Sequence, residues 1–300
     1  MKVHVLDGTY ELFRHHFGAP PADHADAKVD VAATRGVLWS VVNLLEQGVT
    51  HLGVATDSVV ESFRNQKWDG YKSSAGMPEA LLAQFPLVEE ALAALGVVVW
   101  PMIELEADDA LAAAARVAAA DPAVEQVVIM TPDKDLAQAV VGTRVVQLDR
   151  RKNAVTDEDG VVARYGVHPE SIPDWLALVG DSADGFPGLP GWGKTAASAV
   201  LGRYPHLEDI PVDATRWDVA VRGRVRLAAT LVDQLELVLL FRDLATLRAD
   251  APVLDSVESL RWRGPSPALG AMAHRLRAWR MPERVAALTS RSEGDSDPYG

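Results

Sequence analysis

Apolar runs of strand length recur along the first half of this chain, separated by sequence of helix length. MKVHVLD, HLGVATD, GVVVWPMI and EQVVIMTPDKD read as buried strands. Strand and helix alternating in this way imply a mostly parallel sheet with helices on both faces. Three of the four runs lead directly into carboxylates: Asp7, Asp57, and the pair Asp133 and Asp135. A further acidic group, Glu106, Asp108 and Asp109, follows GVVVWPMI. In an open parallel sheet the loops at the carboxyl ends of the strands form one crevice. Segments distant in sequence would therefore pile negative charge into one place. Carboxylates crowded in a low-dielectric cleft stay ionised together only when cations hold them. The expectation is a multi-carboxylate Mg²⁺ site.

The coarse reading places strands at 2–6, 51–56, from Gly96, at 126–131 and at 144–148. Helices are expected at 34–46, 79–95, 106–120 and 134–140. ESFRNQKWDGYKSSAGMP has neither period and reads as a loop or mobile excursion. From about residue 165 the strands stop. PESIPDWLALVG is a capped amphipathic helix, DSADGFPGLPGWG a glycine-rich turn, and KTAASAVLGRY opens another helix. LAATLVDQLELVLLFRDLATL is a long helical segment. The tail after Pro252 is weakly patterned, and SRSEGDSDPYG reads as disordered. No internal repeat is visible.

Three hundred residues without cysteine exclude disulfides, zinc–thiolate sites and thiol nucleophiles. No signal peptide is legible and no apolar run reaches membrane-span length, so a soluble, cytoplasmic enzyme is expected. The net charge of −13 looks wrong for a nucleic-acid partner. Setting aside nine crevice candidates, Asp181 and Asp184 among them, leaves about −4 for the rest. Contact with nucleic acid must then rest on local clusters rather than a global field.

Two motif matches mislead. GLPGWGKT, Gly188 to Thr195, fits the phosphate-loop pattern G-x-x-x-x-G-K-[ST]. That loop works only when it leaves a buried strand and opens a helix, and helix and turn precede it here. LDGT and GDSADG echo haloacid-dehalogenase-type phosphatases, but their nucleophile position is Val5. Covalent phosphoryl transfer without a nucleophile fails. No nucleotide cofactor is expected.

LDGTYELFR, TDSVVESFRNQKWDGYK, ELEADDALA, IMTPDKDLAQAV, LALVGDSADGFPGLPGWGKTAA and LFRDLATLRADAPV occur in this order between residue 1 and about 253. Together they resemble the 5′→3′ exonuclease and flap endonuclease family, which includes the amino-terminal nuclease domain of bacterial DNA polymerase I. No polymerase domain follows, so a stand-alone member is expected.

The resemblance implies an α/β, PIN-like catalytic domain over 1–165, its mostly parallel sheet flanked by helices. A gateway insertion would span about 58–80. A helical DNA-binding region with a helix–three-turn–helix would follow over 166–253, then a carboxyl-terminal extension over 254–300. The implied activity is metal-dependent cleavage of 5′ flaps and degradation from 5′ ends by a two-metal mechanism, in replication or repair. Asp7, Asp57, Glu106, Asp108 and Asp109 match the family's first metal group. Asp133, Asp135, Asp181 and Asp184 match the second. Two Mg²⁺ ions about 4 Å apart, with Mn²⁺ as a substitute, would serve the hydrolysis. Some of the acids should act through water, since magnesium prefers few carboxylates. Arg64 and Lys72 match basic gateway positions that neutralise the scissile phosphate, and Tyr71 an aromatic that stacks a frayed base. Lys67 and Trp68 would assist, and Arg14 matches a family arginine. Gly188, Gly191 and Gly193, with Lys194 and Thr195, resemble the hairpin whose amides grip the duplex backbone. Family members often hold K⁺ there. The implied partner is DNA with 5′ flaps, nicks or free 5′ ends, bound by a monomer with no membrane association.

The chain departs from the family at three points. The last hairpin glycine abuts Lys194, where the family usually has one more residue. Ala75 replaces an arginine three residues beyond the gateway lysine, and Gly185 replaces an asparagine. These changes bear on DNA affinity before metal binding. A non-catalytic, structure-selective DNA-binding protein and an RNA-cleaving PIN-type enzyme are the alternatives.

Overall fold

The computed structural model describes residues 1–18 and 31–294. Six strands form one sheet: β1 (Lys2–Asp7), β2 (His51–Asp57), β3 (Val98–Met102), β4 (Gln126–Met130), β5 (Val145–Asp149) and β6 (Ala154–Thr156). Their spatial order is β3-β2-β1-β4-β5-β6. All neighbours run parallel except β5 and β6. Val5 lies between Gly53 of β2 and Ile129 of β4, at the middle of the sheet. From β1 the chain builds outward through β2 and β3, then crosses to add β4 and β5 on the other side. The reversal falls between β1 and β4, where open α/β sheets place their crevice.

Helices α1 (Gly8–Gly18), α2 (Ala32–Glu46), α3 (Glu79–Leu82) and α4 (Gln84–Ala94) belong to one side of the sheet, and α5 (Ala107–Ala120) to the other. The expected single helix over 79–95 is two. Pro86 has no amide hydrogen to donate to the carbonyl of Leu82, which breaks the ladder there. The helix expected at 134–140 is a short 3-10 turn, Asp135–Ala139. β6 has three residues, too few for a sequence period to reveal.

Beyond β6 the chain is helical: α6 (Glu158–Tyr165), α7 (Ile172–Val179), α8 (Lys194–Leu201), α9 (Arg224–Asp233) and α10 (Leu235–Ala245). They enclose a separate apolar core containing Trp175, Phe186, Trp192 and Phe241. The weakly patterned tail is integrated into the α/β part. Leu254, Val257 and Leu260 join the α5 side. The Trp262 amide donates to the Thr50 carbonyl (2.8 Å) and its indole to that of Leu95 (2.9 Å). α11 (Leu269–Arg275) and α12 (Met281–Gly294) pack Leu269, Ala273, Leu276, Met281 and Val285 into the opposite core. The tail expected to be disordered from Ser290 is therefore helical to Gly294, and its remainder, 295–300, lies outside the described residues. Among the described residues no helix is long and apolar enough to cross a membrane.

Candidate metal centre and nucleic-acid interface

Asp7 ends β1 and crosses the switch point. It accepts from the Tyr10 amide (2.7 Å) on one oxygen and from the Thr131 hydroxyl (2.9 Å), just past β4, on the other. Asp57 ends β2; its amide donates to the Thr9 hydroxyl (2.8 Å), and its carboxylate accepts from the Ala107 amide (2.7 Å) at the start of α5. Gly8 is required at this corner because a side chain would meet the Ala55 carbonyl at 2.9 Å. Asp7, Asp57, Asp108, Asp133 and Asp184 line one cavity of about 430 Å³, with Lys72 on its wall. Beside it, Asp135, Asp181 and Asp184 each bring an oxygen within 4.8 Å of the others. Seven of the nine predicted acids thus gather at the carboxyl end of the sheet.

Their electrostatics is that of an overcrowded site. Burial, followed by the charges of Asp57 and Asp133, pushes the Asp7 carboxyl up to about 7 despite its hydrogen bonds. Burial and neighbouring aspartates push Asp108 and Asp135 well above the carboxylate range. Asp57 and Asp184 are raised chiefly by burial, with Lys72 opposing. One oxygen of Asp135 is buried with no hydrogen-bond partner. An all-oxygen donor set with such an orphaned atom fits hard divalent cations.

Glu106 and Asp109 behave differently. Asp109 is fully buried and its carboxylate is saturated. Arg64 donates to both oxygens at 2.8 Å, the Arg248 amide to one (2.8 Å) and the Glu106 amide to the other (2.9 Å). Glu106 receives the Ser62 hydroxyl (2.6 Å), Lys72 (2.7 Å), Arg64 (3.1 Å) and the Tyr71 hydroxyl (3.3 Å). Burial opposes ionisation of both, but Lys72 and Arg64 at Glu106, and Arg64 at Asp109, outweigh it and hold them low. Neither acid lines the cavity.

The same knot relocates two gateway residues. Arg64, expected at the scissile phosphate, is 1% exposed and also donates to the Leu244 carbonyl (2.8 Å). Tyr71, expected to stack a base, is buried among the helical core. Position in a motif does not reveal which way a side chain turns, and both turn inward. Lys72 remains at the cleft, bridging Glu106 and Asp184 (3.2 Å). The segment read as a loop or mobile excursion is an irregular loop that is fastened down. The Lys72 amide donates to the Asp184 carbonyl (3.0 Å) and the Trp68 indole to that of Gly185 (3.0 Å). Gly185, at φ +83°, permits this approach, since a Cβ there would meet the Gly70 carbonyl at 1.9 Å. Lys67 is exposed and pairs with Asp243 at 2.5 Å. Arg14 is held by buried Glu11 (2.5 Å), which Arg150 also contacts (3.1 Å).

Gly188 and Gly191 take positive φ in the turn between α7 and α8, and Gly193 precedes α8. Lys194 and Thr195 are exposed in the first turn of α8, and Trp192 anchors the turn through its indole to the Leu227 carbonyl (3.2 Å). The element before this turn is α7, not the strand a phosphate loop requires. Thr9, Thr131 and Lys134 were not singled out as functional from sequence. Lys134 pairs with Asp181 at 2.5 Å. Both threonines lie inside quoted motifs, LDGTYELFR and IMTPDKDLAQAV, but only proximity gives their hydroxyls a role.

Comparison with known proteins matches both halves. The family model described as the 5′-3′ exonuclease N-terminal resolvase-like domain matches residues 2–166, and that described as the 5′-3′ exonuclease C-terminal SAM fold matches 167–268. DNA polymerase I of Rhizobium leguminosarum is 33% identical over 261 residues, covering 83% of this chain and 25% of the relative. DNA polymerase I of Bacillus caldotenax is 31% identical over 270 residues, 88% of this chain and 30% of the relative. The chain therefore spans under a third of the length of these relatives. Among solved structures, the T5 5′-exonuclease with bound zinc superposes with a TM-score of 0.62 at 16% identity, over 93% of this chain and 99% of that one. The catalytic core of Rad2 with DNA substrate gives 0.61 at 17%, over 96% and 91%. At these identities the likeness is one of fold.

Proposed function

Because this chain belongs to the 5′-3′ exonuclease family, we propose that it is a divalent-metal-dependent nuclease that cuts DNA at 5′ flaps and from 5′ ends. The observation that carries the reading is the gathering of seven aspartates around the β1–β4 switch point, one with an orphaned buried oxygen. Asp7, Asp57, Asp108 and Asp133 would hold one Mg²⁺, and Asp135, Asp181 and Asp184 a second. When bound, the two ions would supply charge neutralisation and water activation for phosphodiester hydrolysis.

The protein's own groups do the rest. Thr131 and the Tyr10 amide fix the Asp7 carboxylate across the sheet's central seam, and the Ala107 amide fixes that of Asp57. Lys72, which bridges Glu106 and Asp184, presents the cleft's cation to an incoming phosphate. Glu106 and Asp109, with Arg64 and Tyr71, position this wall rather than touch substrate. The reading divides the chain into a PIN-like catalytic part over 1–165 with its gateway at 58–80, and a helical part over 166–253. In the latter the 188–195 hairpin grips the duplex backbone through main-chain amides, Lys194 and Thr195.

The test is cleavage of a labelled 5′-flap DNA with Mg²⁺, Mn²⁺ or EDTA, beside Asp133→Ala. Metal-dependent cutting near the junction, lost in the variant, is expected. Tight flap binding without cutting in any metal would instead make the chain a structure-selective binding protein.

A further inference from the structure

The turn that follows β4 supplies three charged side chains in succession, and they go three ways. Asp133 lines the cleft, Asp135 joins Asp181 and Asp184, and Lys134 between them reaches one oxygen of Asp181 at 2.5 Å. The other oxygen of Asp181 accepts from the Ala183 amide (2.9 Å). Asp181 is buried, so with Lys134 in place both its oxygens are engaged. A second lysine, Lys72, lies 3.2 Å from Asp184 but closer, at 2.7 Å, to Glu106. Among the described residues of this triad, Asp135 alone keeps a buried oxygen without a partner. A cation arriving at the triad must therefore share Asp181 with a donor or displace one. The backbone amide is fixed by the turn, and the lysine can move. Its side chain borders a hollow of about 690 Å³ whose other charged groups are Arg164, Lys194 and Asp181 itself. An ammonium pushed off Asp181 finds no replacement carboxylate there and faces like charges.

We infer that Lys134 is a resident competitor for the Asp135–Asp181–Asp184 site, whose ammonium sets how weakly a divalent cation binds there. Three carboxylates with one ammonium among them present one unit less negative charge to an ion. Loss of the Asp181 pair is part of the cost of binding, and the hollow does nothing to offset it. The same lysine keeps buried Asp181 paired while no ion is present, so the triad stays in place without one. The role needs a positive charge at residue 134 and nothing else of lysine. The inference rests on the reading of this triad as a metal site, but its test does not depend on cleavage.

The test uses the full chain without DNA. Mg²⁺ binding is titrated by calorimetry for the parent, Lys134→Gln, Lys134→Arg and Asp135→Asn, and melting is followed in EDTA and in Mg²⁺. The component of binding that Asp135→Asn loses belongs to the triad. In Lys134→Gln that component should tighten roughly tenfold, the scale of one partly screened charge beside a divalent ion. Lys134→Arg, which keeps the charge, should match the parent. Lys134→Gln should melt below the parent in EDTA, where Asp181 is left buried without its cation, and Mg²⁺ should raise its melting temperature by more than the parent's. Triad affinity unchanged or weakened in Lys134→Gln, or tightened equally in Lys134→Arg, would overturn the inference. So would a melting deficit in Lys134→Gln that is as large in Mg²⁺ as in EDTA, the mark of a lysine that only supports the fold. If the parent and both Lys134 variants bind no Mg²⁺ at all, the metal reading of the triad fails and the inference goes with it, a result distinct from binding that the variants leave unaltered.

Discussion

Asp108 and Asp109 are adjacent, yet they belong to regions of opposite electrostatic character. Asp108 joins a cleft where aspartates face one another with Lys72 as the cation on the wall, and burial and those neighbours push its carboxyl well above the carboxylate range. Asp109 lies in a knot with Arg64 in which all its acceptor positions are filled. The residue type is the same in both places. What differs is whether the protein itself completes the charge: it does in the knot, which is scaffold, and does not in the cleft. The incompleteness of the cleft is what makes it a place for cations and phosphates.

The largest expected effect that tests this division is on chemistry. Asp108→Asn should reduce flap cleavage about a thousandfold or more, on the scale of lost metal-based charge stabilisation, with the melting temperature maintained. Single-turnover rates beside a melting curve check both halves of that statement. Arg64→Met should do the reverse in kind, costing about 3–5 kcal/mol of stability by leaving Asp109 and Glu106 buried without their partner. Urea unfolding measures it, and a melting temperature equal to that of the parent would remove the knot's claim to be scaffold.

A smaller effect concerns metal. Mg²⁺ at a hundred times its dissociation constant should stabilise the chain by about 2.7 kcal/mol, and Asp135→Asn should abolish that gain. Calorimetry with Mg²⁺ or EDTA decides it.

The two regions should also answer pH with opposite signs. Asp7 has a folded value of about 7 against a reference of 3.8, so the folded state binds the extra proton in between. Stability from Asp7 is therefore present at acid pH and lost as pH rises towards 7 in the metal-free protein. Glu106 and Asp109 are held below their usual range, so theirs is present above that range and lost as pH falls through it. Melting in EDTA from pH 3 to 8, compared with Asp7→Asn, should show the upper limb flatten in the variant. An unchanged upper limb would place the destabilising deprotonation elsewhere. Smallest of all, Tyr71→Phe should cost about 1 kcal/mol, one hydrogen bond to Glu106, seen as a modest shift in the urea midpoint.

Much of the architecture was legible because burial leaves a pattern. β4 is continuously apolar after Gln126, and the runs ending at Asp7 and Asp57 are nearly so, as expected where both faces of a parallel sheet are covered. Their carboxylates follow because the crevice lies at strand ends. What sequence could not supply was side-chain direction. Arg64 and Tyr71 occupy motif positions, but whether they face solvent or core depends on α5 and α10, which are distant in the chain. The hydroxyls of Thr9 and Thr131 were invisible for the same reason. The tail looked unpatterned because Leu269, Ala273, Leu276 and Met281 pack individually against α2 and α4 instead of forming a long stripe.

The position of β1 at the centre of the sheet has a consequence for synthesis. β1 leaves a ribosome before either of its neighbours and must wait for β2, and then for residues 126–130, before both its edges are covered. Until then one flank of an apolar strand stays open to pairing with the wrong neighbour. The acid cleft forms later still, since Asp181 and Asp184 arrive last. A nascent or truncated chain that stops short of them carries the sheet without the complete cluster of charges, which is completed only after all six strands have been made.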